Sequence, residues 1–221
     1  EKIFKEAVKI IDDDSGYNKE KVIVVYNENW HHGVIGIVAS KLVERYNKPV
    51  FVFSVENEKA VGSARGIEGF NIFKAMESQS DLLIKYGGHE QAGGLTISPL
   101  NLDLFRKRIN IYANDIITDE MLIPETTIDL EAKSRDISLN MAKLISKFEP
   151  FGCGNQVPVF CYKGAMIRDK KIVGNGRHLK LTFEIDGKNI EGVYFGKGYL
   201  ETGIFSGDAV DIVFTQEVNE F

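Results

Sequence analysis

The sequence predicts an α/β body followed by a β-rich body, and three observations predict it. A strand–helix–strand order occupies residues 22–53, the composition turns acidic after Asn114, and from Val159 onward the apolar runs shorten to strand length between turn residues. The chain has 221 residues, 43% of them hydrophobic and 27% charged, enough for one or two domains with real cores.

The first element, Glu1 to Ile11, carries Ile3, Phe4, Ala7, Val8 and Ile11 at helical spacing. It reads as a linker helix over residues 1–16 arriving from something upstream, broken by Asp12-Asp13-Asp14, a solvated helix end. Val22–Tyr26 is a short buried-type strand. Trp30-His31-His32-Gly33 forms a turn, and a helix then runs to Tyr46 with Val34, Val38, Leu42 and Tyr46 on one stripe. Pro49 opens a second strand, Val50–Phe53, and this order belongs to a parallel α/β unit.

Val61 to Gly66 reads as a strand end and loop. Helices are expected near Asn71–Glu77 and through Leu82–Tyr86, the second stopped by Gly87 and Gly88 as left-handed caps. Leu95–Ile97 is a strand, and Leu102, Phe105, Ile109, Tyr112 and Ile116 mark a long amphipathic helix. These elements place the first domain at residues 1–118.

A connector is expected over 119–150. It holds a strand at Thr127–Leu130 and a short helix through Met141, Leu144, Ile145 and Phe148. The second domain, 151–221, has strand runs at Val159–Arg168, Leu179–Ile185, Ile190–Phe195 and Ala209–Glu217. Gly174-Asn175-Gly176 and Asp186-Gly187 turn the chain, with a short helix near Gly198–Gly203. This pattern suits a small Greek-key β-barrel of the OB type, with its last strand expected beyond Phe221.

Composition excludes some functions. No apolar run approaches the roughly 18 residues of a membrane span, and no basic-then-apolar leader opens the sequence. Cys153 and Cys161 have no metal-type spacing and read as two buried thiols of a cytoplasmic protein. The sequence contains no HExxH and no CxxC, and adjacent His31 and His32 lack the i, i+4 spacing of a helical metal pair. No metal site is expected in this chain. The net charge of −5 opposes a uniformly basic surface, yet Lys163, Arg168, Lys170, Lys171, Arg177 and Lys180 oppose only Asp169 in one short stretch. A local basic face is expected there.

Four motifs carry candidate chemistry. In Gly87-Gly88-His89-Glu90-Gln91-Ala92-Gly93-Gly94 the glycines admit a ligand to backbone amides, and His89 can donate to an anionic oxygen; the same residues also suit a helix cap and tight turn. In Gly62-Ser63-Ala64-Arg65-Gly66, Ser63 and Arg65 project to one side of an extended strand and can hold a phosphate. Trp30 to Ser40 opens a helix directly after a strand, where anions bind, with Trp30 also able to plug the core, Gly36 and Ala39 allowing close packing, and His31 near a substrate. In the β-rich body, cations interleave with Phe160, Tyr162, Phe183, Tyr194 and Phe195, the pattern of a single-strand-binding surface, although alternation sends about half of these rings to the core.

In this order the motifs resemble the RecJ family of DHH-superfamily phosphoesterases. The resemblance runs through Trp30 to Ser40, Gly62-Ser63-Ala64-Arg65, Gly69-Phe70-Asn71, Gly87-Gly88-His89, Glu149-Pro150-Phe151-Gly152-Cys153-Gly154-Asn155, Pro158-Val159-Phe160 and Arg177-His178-Leu179-Lys180. Gly66 stands where the family usually has serine, and Ala92-Gly93 where it has an alanine pair. The resemblance implies a 5′-to-3′ exonuclease of single-stranded DNA in repair and recombination. Its Mn2+ or Mg2+ ions would sit in an N-terminal DHH domain, a partner domain absent from this sequence, which has no Asp-His-His triplet. It implies a DHH-associated domain in which Ser63 and Arg65 hold a terminal 5′ phosphate while Gly87, Gly88 and His89 contact substrate phosphate, His89 as the catalytic contributor. His31, Arg177 and Lys180 complete the substrate-binding set, with the OB-like domain guiding single-stranded DNA. These residues alone would bind weakly and cleave nothing. The alternatives are a related DHH-class phosphodiesterase acting on oligoribonucleotides or cyclic dinucleotides, and a non-catalytic single-strand-binding module.

Overall fold

The protein is described by a computed structural model covering residues 1–152 and 154–218. It divides into two compact units, Glu1–Glu125 and Thr126–Phe221.

The first unit contains α1 (Lys2–Asp13), α2 (Gly16–Lys19), β1 (Ile23–Asn27), α3 (Ile35–Tyr46), β2 (Val50–Glu56), β3 (Lys59–Arg65), α4 (Ile72–Glu77), β4 (Leu83–Gly88), β5 (Ala92–Ile97) and α5 (Leu102–Asn114). Its sheet has the order β1-β2-β3-β5-β4, with β1 and β2 parallel and the other pairs antiparallel. The parallel β1–α3–β2 unit is present as the apolar spacing requires.

β2 explains the layering. Val50 and Val52 join the core beneath α1 and α3, while Phe51 and Phe53 join the core beneath α4 and α5. A strand apolar on both faces belongs inside a sheet covered on both sides. Phe105 of α5 meets both phenylalanines edge-on, at 5.3 and 5.9 Å. Each such pair adds about 0.5–1.5 kcal/mol beyond area burial. α1 contributes buried Ala7 and Ile11 to the other core. Its acidic end makes specific bonds: Asp12 accepts the Tyr46 hydroxyl at 2.7 Å and pairs with Arg45, and Asp14 accepts the Gly16 N–H and pairs with Arg106.

Residues 82–86 correct one expectation. A one-turn 3-10 helix spans Ser80–Leu82, and β4 then begins at Leu83. The run Leu82-Leu83-Ile84 fits either period, and ladder pairing with β5 decides for the strand. Gly87 and Gly88 therefore end a strand and cap no helix.

The second unit contains β6 (Leu130–Glu131), α6 (Leu139–Ile145), β7 (Phe160–Val173), β8 (His178–Ile185), β9 (Lys188–Tyr194) and β10 (Ala209–Phe214), with a 3-10 helix at Gly198–Gly203. The order is β10-β7-β8-β9, and β6 pairs parallel with β7. The fifth strand sought beyond Phe221 thus has a counterpart at the start of this unit; residues 219–221 lie outside the described residues. The long β7 serves two neighbours, pairing β10 through Phe160–Met166 and β8 through Met166–Val173. Its register shifts opposite Asp211, whose carboxylate accepts the Gly164 N–H at 2.9 Å. β8 alternates strictly, sending Leu179, Leu181, Phe183 and Ile185 inward. Asp186 and Gly187, with φ of 47° and 74°, make the tight turn into β9. Among the described residues no ladder joins β9 to β10. Among the described residues no helix is long and apolar enough to cross a membrane.

Candidate nucleic-acid interface

Arg65 and Ser63 alternate with Ala64, which lies in the core under α4 and α5, so both face the α3 side of the sheet. The Arg65 guanidinium donates to Ser63 Oγ at 3.3 Å and to the Ala64 carbonyl at 2.7 Å. Neither bond neutralises it, and Arg65 meets no carboxylate among the described residues.

The register extends this face toward the sheet edge. Ser63 lies opposite Gly94, and Gly94 opposite Gly87. Arg65 lies opposite Ala92, and the next step of the β4–β5 hairpin brings His89 to Ala92, where the His89 N–H donates to the Ala92 carbonyl at 2.8 Å. Arg65 and His89 thus occupy one cross-strand row, two strand spacings or about 10 Å apart. The hairpin tip is held by Gly66 N–H donating to the Gln91 carbonyl and Ile72 N–H to that of Glu90.

The glycines of this hairpin differ in purpose. A methyl group added at Gly87 would meet nothing within 4 Å, and one at Gly94 only the Gly62 carbonyl at 3.9 Å. The same group at Gly88, where φ is +152°, would lie 2.3 Å from the Ala92 carbonyl oxygen. Gly88 serves the backbone, whereas Gly87 and Gly94 leave a bare floor beside Ser63 and Arg65. Gly36, read from the sequence as a packing residue, borders the same place: a methyl there would lie 3.3 Å from Ser63 Oγ and 3.4 Å from Arg65. α3 opens without a side-chain cap; its Ile37 and Val38 N–H groups donate to the Val34 carbonyl, and those of Ile35 and Gly36 have no partner among the described residues. Gly94 belongs to the glycine motif read from the sequence, whereas Gly36 was read there for packing alone; the hairpin pairs the doubled glycines at 87–88 and 93–94 across the ladder.

His31 makes contacts at the opening of α3. Its Nδ1 accepts the Gly33 N–H at 3.0 Å, its ring stacks on His32 at 4.8 Å, and it lines a cleft with Phe4, Val34 and Ile37. His32 bonds Glu56, and that hydrogen bond holds the Glu56 carboxyl below the usual carboxylate range. Trp30 is buried and donates to Glu6, a core plug.

In the second unit the expected basic face is largely consumed. Lys163 pairs with Glu131 at 2.8 Å, Lys170 with Glu201 at 3.0 Å and Lys180 with Glu191 at 2.9 Å, and Arg168 pairs with Glu184. Of the six cations, Lys171 and Arg177 have no carboxylate partner among the described residues. The reason is register: Glu184 and Glu191 project from β8 and β9 beside the cations. Of the aromatic residues, Phe160 and Phe183 are buried, whereas consecutive Tyr194 and Phe195 at the end of β9 are both exposed. Asn155 of the Pro150–Asn155 motif donates to the Phe148 and Pro150 carbonyls at 2.8 and 3.0 Å, a structural clasp. Cys161 is buried, and Cys153 lies outside the described residues. Among the described residues no three His, Cys, Asp or Glu side chains gather to hold a metal ion.

Comparison with known proteins agrees with this division. The DHHA1 domain model matches residues 19–115, and the RecJ OB domain model matches residues 128–221. The single-stranded-DNA-specific exonuclease RecJ of Bacillus subtilis is 34% identical across 100% of this chain and 28% of its own length. The protein of the same name from Haemophilus influenzae is 33% identical over 81% of this chain and 32% of its own. The crystal structure of RecJ in complex with Mg2+ from Thermus thermophilus superposes with a TM-score of 0.76 and 26% identity, over 100% of this chain and 33% of that one. The chain spans about a third or less of the length of these relatives.

Proposed function

Because the chain belongs to the RecJ family, whose DHHA1 and OB domains it carries, we propose that it is the substrate-gripping part of a 5′-to-3′ single-stranded-DNA exonuclease of repair and recombination. Catalysis needs the DHH domain with its Mn2+ or Mg2+, so the 221 residues alone bind DNA and do not cleave it. The enzyme works in the cytoplasm, where its substrate arises.

One observation carries this reading: an unneutralised guanidinium, a hydroxyl and a histidine on one cross-strand face, above two glycines that present no side chain. Arg65 gives the 5′ phosphate a charge-assisted fork, and Ser63 supplies a hydroxyl beside it. Gly87 and Gly94 let the sugar–phosphate chain lie flat on the sheet, and His89 donates to a phosphate at the hairpin end. Gly88 acts indirectly by shaping the hairpin. The second unit guides the strand. A small-diester phosphodiesterase would have no use for that unit, which disfavours the alternative.

The test is binding of 5′-phosphorylated against 5′-hydroxyl oligothymidylate. Wild type should prefer the phosphorylated end, and Arg65→Ala should erase that preference at a cost of about 1.5–3 kcal/mol. Equal affinity of wild type for both ends would contradict the assignment.

A further inference from the structure

We infer that Asn71 is a positioning residue for His89, acting through the first amide of α4 and the tip of the β4–β5 hairpin. This rests on the reading of His89 as a phosphate contact given above. It gives a task to Gly69-Phe70-Asn71, a motif that the grip itself does not use.

The hairpin tip, His89-Glu90-Gln91, is exposed at every residue. A segment without buried contacts is held by its backbone bonds, and these decide where His89 stands. Two of them come from outside the hairpin. Gly66 N–H donates to the Gln91 carbonyl at 2.9 Å, one step beyond the Arg65–Ala92 pair. Ile72 N–H donates to the Glu90 carbonyl at 2.8 Å. The first bond extends a ladder that β3 and β5 already form. The second depends on where and how α4 starts.

Asn71 sets that start. Its backbone is extended, with φ −81° and ψ 106°, and its Oδ1 accepts the Lys74 N–H at 3.0 Å. A helix leaves its first amides without internal partners. Here the Asn71 side chain takes the third amide of α4, and the hairpin takes the first. The side-chain bond fixes the bend of chain that aims the Ile72 N–H at Glu90. The flanking residues hold this corner in place. Phe70 is fully buried with its ring edge-on to Tyr112 at 6.2 Å, and a methyl at Gly69, where φ is +81°, would lie 2.7 Å from the Met121 methyl. α4 packs close against the hairpin, since a methyl at Gly93 would lie 2.4 Å from that of Met76.

The experiment is a double-mutant cycle on the whole 221-residue chain, read as affinity for a 5′-phosphorylated oligothymidylate of about 12 nucleotides. His89→Ala should weaken wild-type binding about tenfold, as loss of one hydrogen bond to a charged group does. In Asn71→Ala the same change should cost less than about twofold, because His89 has already left its place. Asn71→Ser puts a side-chain acceptor back at the cap and should restore the full effect of His89→Ala. Asn71→Gly removes the acceptor in a residue that a helix start tolerates nearly as well as asparagine, so it keeps the fold and should behave like Asn71→Ala. An effect of His89→Ala that persists undiminished in the alanine and glycine backgrounds would overturn the positioning role and leave Asn71 to the stability of α4 alone. No effect of His89→Ala in the otherwise wild-type chain would overturn the phosphate contact of His89 itself, so the two failures are distinct.

Discussion

Arg65 and Lys180 are both cations on an inner strand, yet Arg65 meets no carboxylate among the described residues and Lys180 is held 2.9 Å from Glu191. The contrast extends to their surroundings. Around Arg65 lie Ser63 and the glycines at 36, 87 and 94; beside Lys180 stands Glu191. The first unit presents a guanidinium with no carboxylate partner among the described residues over bare backbone, and the second presents cations paired across the ladder. Formal charge in a sequence therefore does not measure charge on offer, because cross-strand neighbours decide how much is already spent.

The comparison can be broken most forcibly at glycines that close loops. Gly88→Ala in the first unit and Gly198→Ala in the second each drive a methyl into a backbone carbonyl, at 2.3 and 2.2 Å. Each should destabilise its own unit by about 3 kcal/mol or more, read as a lowered urea midpoint. Gly87→Ala should leave that midpoint within about 0.5 kcal/mol of wild type and still weaken strand binding, since the methyl enters the bare floor. A stability loss at Gly87 equal to that at Gly88 would remove the distinction between a ligand-facing and a backbone glycine.

Binding sharpens the contrast at the next level. Arg65→Ala should cost about 1.5–3 kcal/mol toward a 5′-phosphorylated strand. Lys180→Ala should cost no more than about 0.5 kcal/mol, because its charge already serves Glu191.

The smallest effect is on acid stability. The Gly16 N–H and Arg106 hold the Asp14 carboxyl below its usual 3.8, and the Arg108 hydrogen bond does the same for Asp81. A depressed folded value means stability present above 3.8 and lost as the pH falls through the lower folded value. The urea midpoint of the first unit should decline below about pH 4, and Asp81→Asn should flatten that decline.

Much of this was legible in the residues. The β1–α3–β2 unit, the long α5, the strands of the second unit and the 3-10 turn at Gly198–Gly203 follow from apolar periodicity and turn chemistry, which are local. The side-by-side placement of Ser63 and Arg65 follows from strand alternation. What was not legible depended on pairing. Residues 83–88 are a strand because β5 lies beside them, Gly36 reaches the Ser63–Arg65 pair because α3 crosses β3, and the basic stretch is neutralised from β6, β8, β9 and the Gly198–Gly203 turn. Apart from β5, which a short hairpin joins to β4, these partners lie 11 or more residues from the residues they change.

The most direct test of the contrast between the two units is the salt dependence of single-strand affinity for wild type, Arg65→Ala and Lys180→Ala. Removing one phosphate interaction should reduce the slope of log K against log salt by about 0.7. That reduction is expected for Arg65→Ala, with an unchanged slope for Lys180→Ala; the reverse pattern would contradict the assignment of phosphate reading to the first unit.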